Sequence, residues 1–330
     1  MTKPSPARVY RGTPRNLARL AALLRSGGLV AVPTETVYGL AANALNGRAC
    51  RKIFTAKGRP AEDPLIVHIH GLSELARVAE PNGAALLLAK KFWPGPLTIV
   101  LPKKSCVPDI VSAGLASVAV RMPSHPLFRR LLRLARLPLA APSANPFGYV
   151  SPTTAEHVRA GLGRKVRHIL DGGPSHIGLE STIIDLRDPR TPCLLRPGAV
   201  TRQELERALG RKIRSSGPTA QPQQPRTAQI APGLLARHYS PRTPLILHAR
   251  MPRRRAAGEA WIFLAKPAGR PAPNVFWLDK RGQMKGAARH LFATLRRADQ
   301  GGFARLHAER AQGAGLAEAI NDRLRRAAAR

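Results

Sequence analysis

The sequence predicts an α/β protein built from two domains. Over the first two thirds of the chain, short apolar runs typical of buried strands alternate with stretches that carry a helical stripe. Residues 215–227 are biased towards Pro, Gln and Ser, which is typical of a linker rather than of a packed core. A second alternation follows, and 330 residues with 44% hydrophobic content are enough for roughly two cores.

The first domain begins with a helix followed by a strand. Leu17, Leu20 and Leu24 lie on one helical face, and Gly27 and Gly28 end that helix before an apolar run. The predicted elements are helix 16–26, strand 29–32, helix 48–56, strand 65–69, helix 84–92, strand 97–101 and helix 127–135. This alternation predicts a largely buried sheet covered by helices.

The second domain is predicted as a small open α/β sheet. Its elements are strands at 245–247, 261–264 and 275–278 and helices at 284–297 and 316–329. We therefore expect a first domain at 1–212, a linker at 213–242 and a second domain at 243–330.

The charge is strongly one-sided. The chain has 54 Lys and Arg against 19 Asp and Glu, a formal net charge of +35 and a pI near 11.8. Residues 211–330 hold 24 of the basic residues but only 6 of the acids. This balance favours polyanionic partners. Two explanations of the charge stay open. One is contact with tRNA through the basic surface, and the other is an Arg-rich composition spread over solvated helix faces.

The cysteines and the N-terminus indicate a cytoplasmic protein. Cys50, Cys106 and Cys193 are isolated, with no C-x-x-C pair, so we expect reduced thiols in the core. The first fifteen residues contain no apolar signal-peptide region, and no apolar run approaches the roughly 18 residues that span a bilayer.

Several apolar runs end in polar or basic residues that suit an anionic ligand. The segments are P-T-E-T-V-Y-G-L at 33–40, K-G-R-P at 57–60, P-L-I-V-H at 64–68, V-A-V-R at 118–121, A-P-S-A-N at 141–145, E-S-T-I at 180–183 and L-L-R-P-G at 194–198. No G-x-x-x-x-G-K-[ST] loop occurs. Phosphates would then be held by side chains such as Arg59, Ser143 and Arg196, because guanidinium groups pair bidentately with phosphate oxygens.

In combination and in this order, these motifs closely resemble those of the threonylcarbamoyl-AMP synthase family. F-W-P-G-P-L-T at 92–98, P-G-L-L-A-R-H-Y-S-P at 232–241 and A-I-N-D-R-L-R-R-A at 319–327 match its longer, two-domain form. The resemblance implies a YrdC-like twisted mixed sheet with helices and a smaller Rossmann-like α/β C-terminal domain. The implied activity is a nucleotidyltransferase that condenses L-threonine, bicarbonate or CO2, and ATP into L-threonylcarbamoyl-AMP and pyrophosphate.

The resemblance also implies partners and site residues. Magnesium would be carried on the ATP phosphates, no residue is assigned as acid or base, no protein metal site is expected, and a threonylcarbamoyl transferase complex would use the product on tRNA. The implied ATP-binding residues are Lys57, Arg59, Asp63, Ser117, Ser143, Asn145, Ser151, Arg196 and Tyr239. The implied L-threonine-binding residues are Thr36, His68, Arg121, Ala141 and Ser181.

Structural alternatives stand beside several of these roles. His68 in an apolar strand is also compatible with a satisfied core histidine, and Arg121 with a structural ion pair, although acids are scarce. Ser143 with Asn145 suits a simple turn. Position 63 is Asp where the family usually has Asn, and Tyr239 reaches the site only if the linker folds back as a lid.

Two other functions compete with the synthase. One is a double-stranded RNA or tRNA-binding module without synthase activity, which the net charge favours. Such a module has no need of Arg121, His68 and Ser181. The other is a carbamoyl-transfer domain of the hydrogenase-maturation kind, which the absence of zinc-finger cysteines disfavours.

Overall fold

The computed structural model describes residues 7–215, 228–234, 238–252 and 255–329. Within them lie a large mixed sheet and a smaller parallel sheet, both covered by helices. The predicted α/β fold class is confirmed. Most of the linker predicted at 213–242 lies outside the described residues, and the domain boundaries stay a prediction.

The large sheet has eleven strands in the order β1-β8-β2-β3-β7-β4-β6-β5-β9-β10-β11. Its strands are β1 Arg8–Tyr10, β2 Val30–Val32, β3 Gly39–Asn43, β4 Ile66–His68, β5 Leu97–Pro102, β6 Ser117–Arg121, β7 Leu139–Ala140, β8 His168–Leu170, β9 Thr182–Asp185, β10 Cys193–Arg196 and β11 Arg214–Ser215. Parallel pairs such as β4 with β6 alternate with antiparallel pairs such as β5 with β6, so the sheet is mixed.

The described helices of this part are α1 Pro14–Arg25, α2 Gly47–Lys57, α3 Leu75–Val78, α4 Gly83–Phe92, α5 Asp109–Ser112, α6 Pro126–Ala135, α7 Ala155–Leu162 and α8 Arg202–Leu209, with a 3-10 turn at Leu72–Glu74. Of these eight helices, α1, α2, α4 and α6 match the four predicted helices within a few residues, and the other four were not predicted. Thr13 caps α1 by accepting a hydrogen bond from the backbone N–H of Asn16, and Pro14 occupies its first turn. Helices α1 and α6 pack over one end of the sheet and bury Leu20 and Phe128 between them.

The small sheet has four parallel strands in the order β12-β15-β13-β14. They are β12 Leu245–His248, β13 Ala260–Ala265, β14 Val275–Asp279 and β15 Leu306–Glu309, covered by helices α9 Met284–Asp299 and α10 Leu316–Ala328. Their core also contains Val37, Val150 and Leu179 from the first part of the chain. The core around the small sheet therefore includes side chains from loops of the first part of the chain.

One expectation about the thiols is wrong. Cys50 is buried, but Cys193 is only partly buried and Cys106 is exposed, so the three thiols do not all lie in the core. None of the described helices is long and apolar enough to cross a membrane.

Candidate active site

A cavity opens where strands of the large sheet end. Residues 232–233 and 238–239, together called the crossing segment, lie against it. The cavity is lined by Thr34, Thr36, Val37, Gly39, Arg59, Ile66, His68, Arg121, Ala141, Pro142, Ser143, Glu180, Ser181, Arg196, Pro232, Gly233, His238 and Tyr239. This set includes all five residues predicted to bind threonine. It also includes four of those predicted to bind ATP, namely Arg59, Ser143, Arg196 and Tyr239.

The strand register places three polar side chains in one row, and two of them, His68 and Arg121, line the cavity. Arg121 at the end of β6 pairs with His68 on β4 and with Thr98 on β5. Directly paired residues point to the same face of a sheet, so the three side chains are neighbours. The Thr98 hydroxyl is 2.7 Å from that of Ser181, which extends the row towards β9.

Arg121 is buried and holds an ion pair that sequence reasoning left as one of two alternatives. Its Nη2 donates to Glu35 Oε1 at 2.6 Å, its Nη1 to Thr36 Oγ1 at 2.9 Å and its Nε to the Gly95 carbonyl at 3.3 Å. A guanidinium carries five N–H groups, so one hydrogen on each terminal nitrogen is left for a ligand. The ion pair therefore fixes the guanidinium without using all of its donors.

Glu35 is the carboxylate that sequence reasoning missed. Burial alone would raise its pKa, but the charge and hydrogen bond of Arg121 lower the pKa of Glu35 below its usual value. Its Oε2 is buried and has no hydrogen-bond partner among the described residues. The P-T-E-T motif was the available signal, because a Glu between two threonines at a strand end belongs to the same turn as Thr36.

His68 is held neutral. Burial, and secondarily the charge of Arg121, lower the pKa of His68 to about 3. Its Nδ1 lies 3.2 Å from the Ile66 carbonyl oxygen, which can only accept, so Nδ1 carries the proton. The lone pair of Nε2 is then the acceptor that His68 offers to a ligand hydroxyl or amine.

Ser181 and Arg196 form the opposite wall. Arg196 is buried, and its Nε and Nη2 donate to the carbonyl and hydroxyl oxygens of Ser181 at 3.1 and 3.3 Å. Its Nη1 donates to the Pro232 carbonyl at 3.0 Å and lies 3.5 Å from the Tyr239 hydroxyl. Arg196 thus ties β10 to the segment that crosses the cavity.

Arg59 and Asp63 form a buried ion pair at the third side. Arg59 Nη2 is 2.9 Å from Asp63 Oδ2, and its Nε donates to the Asp63 carbonyl. Burial raises the pKa of Asp63, while Arg59, Lys57 and Arg196 oppose that rise. Asp63 thus serves as a buried counter-ion to these three cations, and an anionic ligand can bind them in addition to Asp63.

Five residues predicted to contact ATP lie beside the cavity rather than on its lining. Lys57 donates from Nζ to the carbonyl oxygens of Ser143 at 2.6 Å and Asn145 at 2.5 Å, and so fixes that loop. Ser151 donates to Glu180 Oε1 at 2.5 Å. Ser117 lies four residues before Arg121 on the same face of β6, and its buried hydroxyl has no hydrogen-bond partner in the part of the chain that the structure describes. Asp63 and Asn145 complete the five, and their ligand roles stay predictions.

The crossing segment brings Tyr239 into place. Tyr239 is buried in a left-handed conformation at φ 61°, stacks on Phe292 of α9 at 5.6 Å and contacts His238 at 4.1 Å. Arg323 of α10 lies 5.4 Å from its ring and donates to Glu180 Oε2 at 2.8 Å. Glu180, to which the sequence analysis gave no role, is thus a buried residue of the cavity wall that the second domain holds in place.

Comparison with known proteins agrees with this geometry. The Sua5/YciO/YrdC family model, described as "Telomere recombination", matches residues 22–198, and the model "Threonylcarbamoyl-AMP synthase, C-terminal domain" matches residues 200–329. Threonylcarbamoyl-AMP synthase of Pyrococcus abyssi is 43% identical over 93% of this chain and 92% of its own length. The Bacillus subtilis enzyme of that name is 42% identical over 94% and 92%.

A solved structure covers the same extent. The crystal structure of P. abyssi Sua5 complexed with L-threonine superimposes with a TM-score of 0.88 and 40% sequence identity, over 98% of both chains. Both the large and the small sheet therefore have counterparts in that protein.

Proposed function

Since the chain belongs to the threonylcarbamoyl-AMP synthase family, we propose that its cavity joins L-threonine, bicarbonate and ATP into L-threonylcarbamoyl-AMP and pyrophosphate. It is an enzyme, a transferase that uses ATP to form an adenylate in tRNA modification. An RNA-binding module without synthase activity is not favoured, because these relatives are synthases over nearly the whole chain.

The observation that carries the proposal is the buried Arg121 beside a neutral His68 in a cavity with further cations opposite. The two free N–H groups of Arg121 bind the threonine carboxylate bidentately. Thr36, already hydrogen-bonded to Arg121, and the backbone at Ala141 complete the carboxylate end of the site. The His68 Nε2 accepts from the threonine hydroxyl or amine, and Ser181 faces the same space.

The nucleotide occupies the side with Arg59 and Arg196. Each charge-assisted hydrogen bond from a guanidinium to phosphate contributes roughly 1.5–3 kcal/mol. Lys57 orients the loop that presents Ser143, and Asn145 closes that loop through two backbone hydrogen bonds. Tyr239 lines the same cavity, and Ser117, Ser151 and Asp63, buried beside it, are proposed to contribute to the nucleotide side of the site.

The chemistry then needs positioning and charge neutralisation more than an acid or base. The threonine amine attacks the carbon of CO2 or bicarbonate, loses a proton, and forms a carbamate, with water as the by-product from bicarbonate. A carbamate oxygen attacks the α-phosphorus of ATP, and the bond to the bridging oxygen of pyrophosphate breaks. Buried cations stabilise the charge that develops on the phosphates in a site shielded from water.

Magnesium, the transferase and tRNA complete the proposal. Mg2+ is proposed to enter on the ATP phosphates, where it neutralises charge; among the described residues no group of three His, Cys, Asp or Glu is placed to hold it independently. The adenylate is proposed to pass to a threonylcarbamoyl transferase complex, and the basic second domain is proposed to contact tRNA.

Pyrophosphate release by the purified protein tests the reaction. With MgATP, release is expected to require both L-threonine and bicarbonate. Arg121→Ala is expected to lower kcat/KM for threonine by at least about 100-fold, because a buried charge partner is lost. Arg133→Ala removes an exposed arginine of α6 and serves as the matched control, with an expected change below about twofold.

Arg121→Ala also leaves Glu35 buried without its ion-pair partner, which can destabilise the fold. The double variant Arg121→Ala/Glu35→Gln removes both charges and is designed to keep the fold. The double variant, verified as folded by its thermal transition, is expected to lack threonine-dependent release as well. Release that is independent of threonine in the wild type, or retained in this folded double variant, contradicts the proposed threonine site.

A further inference from the structure

A second depression, the basic groove, lies between α7 and the small sheet, apart from the cavity. It has a volume of about 750 Å³, within the usual range of about 300–1,000 Å³ for ligand sites. It is lined by His157, Trp277, Leu278, Asp279, Lys280, Arg281, Gln283, His290, Ala293, Thr294 and Arg297. These residues come from the end of β14, the loop after it, and one face of α9.

The groove carries three cations without an ion-pair partner among the described residues, and one of them, Arg297, also lies 5.2 Å from the ring centroid of Phe276. No acid among the described residues forms an ion pair with Lys280, Arg281 or Arg297. The single acid of the lining, Asp279, accepts from the backbone N–H groups of Arg281 and Gln283 at 2.8 and 3.0 Å. Unpaired cations in a concave surface attract a polyanion.

The groove also offers an aromatic surface. Trp277 is partly exposed, and the Lys266 ammonium lies 5.5 Å from its ring centroid. A tryptophan face beside cations is the arrangement on which unpaired nucleic-acid bases stack while their phosphates are neutralised. An acidic peptide would use the cations but would gain little from the ring.

Two histidines add hydrogen-bonding groups of opposite kind. The Nδ1 of His157 accepts from the Thr153 N–H at 3.3 Å, which leaves a donor at its Nε2. The Nδ1 of His290 donates to the Leu278 carbonyl at 2.9 Å, which leaves an acceptor at its Nε2. One donor and one acceptor suit the edge of a base rather than a row of carboxylates.

The basic groove and the catalytic cavity share a wall. Arg296, next to Arg297 on α9, is buried and donates to the backbone oxygens of Val150 and Ser151, and Ser151 donates to Glu180 of the cavity. The segment from Val150 to His157 thus separates the two depressions. A polymer in the groove lies beside the synthase site without entering it.

We propose that the basic groove binds a single-stranded RNA segment, with phosphates at Lys280, Arg281 and Arg297 and a base on Trp277. This rests on the proposed contact of the second domain with tRNA and assigns it to a specific surface. The unpaired cations, the aromatic face and the histidine pair point to the same ligand.

The test measures binding of a labelled oligouridine of about 12 nucleotides to the intact protein by fluorescence anisotropy, over a range of KCl around 0.1 M. Lys280→Ala/Arg281→Ala is expected to weaken binding at least about tenfold and to reduce the slope of log Kd against log salt by about 1.4. Trp277→Leu is expected to weaken binding about tenfold with the slope unchanged. All variants are expected to keep wild-type synthase activity.

Lys90→Ala/Lys91→Ala, exposed on α4, removes the same charge and is the matched control, with an expected effect below about twofold. The inference is overturned if the control weakens binding as much as the groove variant, if a hexaglutamate peptide or AMP displaces the oligouridine, or if the wild type does not bind it. Because synthase activity is measured separately, failure of RNA binding and failure of the proposed reaction are distinguishable.

Discussion

The cavity floor depends on individual residues whose charge is set by burial. His68 illustrates this, because it is a histidine that the fold keeps unprotonated. Its folded pKa of about 3 is below the unfolded value of about 6.5. As pH falls through this window, the unfolded chain takes up a proton that the folded chain refuses, so stability is lost towards acid and is present in full above pH 6.5.

His68→Gln is therefore expected to flatten the acid side of the stability profile. Between pH 6.5 and pH 5 the free energy of unfolding should fall by about 1.5 kcal/mol less in the variant than in the wild type. Urea unfolding at both pH values measures this difference. His176→Gln, an exposed histidine, serves as control and should follow the wild type. A His68 variant with the wild-type slope would show that His68 titrates freely.

Asp63 is a buried carboxylate on the side of the cavity proposed for the nucleotide. It is buried against Arg59 at 2.9 Å, so nucleotide phosphates and Asp63 compete for one guanidinium. At an effective dielectric of about 20 and about 10 Å, the repulsion between two such charges is about 1.5 kcal/mol, roughly tenfold in binding. Asp63→Asn is expected to lower KM for ATP severalfold and to leave KM for threonine unchanged.

The control for Asp63→Asn is Glu80→Gln, which removes an exposed carboxylate paired with Lys104. Its expected effect on both KM values is below about twofold, because exposed charges are screened. A rise in KM for ATP in Asp63→Asn would instead assign the carboxylate to support of Arg59 or to the magnesium that accompanies the nucleotide.

At the scale of elements, the segment that crosses the cavity depends on Gly233. Its φ is +77°, and a Cβ there would lie 2.5 Å from the Tyr239 hydroxyl and 2.8 Å from Arg196 Nη1. Gly233→Ala is expected to displace the segment and to lower kcat/KM for ATP at least about tenfold, since small misplacements of positioning groups are costly. Steady-state kinetics at saturating threonine measure this.

Gly269→Ala is the control for Gly233→Ala, because it introduces the backbone strain without the close contact. Gly269 has the same φ of +77° but no atom within 4 Å of its added Cβ. Backbone strain alone should lower the stability of Gly269→Ala by about 1 kcal/mol, while its activity stays at the wild-type level. Equal losses of activity in both variants would contradict a role for Gly233 in closing the cavity.

The sequence predicted the longer elements because each has a clear period. The helix at Pro14–Arg25 was expected at 16–26, and the strand at Val275–Asp279 at 275–278. Strands Gly39–Asn43 and Leu306–Glu309 were missed. The first lacks β-branched residues, and both owe their conformation to ladders with distant strands rather than to local propensity.

Pairings between distant residues were beyond sequence reasoning for the same reason. The motifs identified Arg121 and Ser181 as site candidates, but the partners Glu35 and Thr98 come from strand register and from the turn after β2. Such contacts depend on tertiary packing, which no period in the chain encodes.

At the scale of the whole molecule, the second domain forms part of the site it covers. Arg323 of α10 is fully buried and pairs with Glu180, 143 residues away, while Tyr239 packs on Phe292. Breaking a buried pair of this kind costs about 3–5 kcal/mol, so the two domains are expected to hold the cavity walls as one unit.

The most direct test of the synthase assignment is the mass of the adenylate formed from MgATP, L-threonine and 13C-bicarbonate. A threonylcarbamoyl-AMP product is expected, heavier by the one labelled carbon than the product from ordinary bicarbonate and absent when threonine is omitted. Pyrophosphate release without a labelled adenylate, or an adenylate that does not carry the bicarbonate carbon, would contradict the assignment.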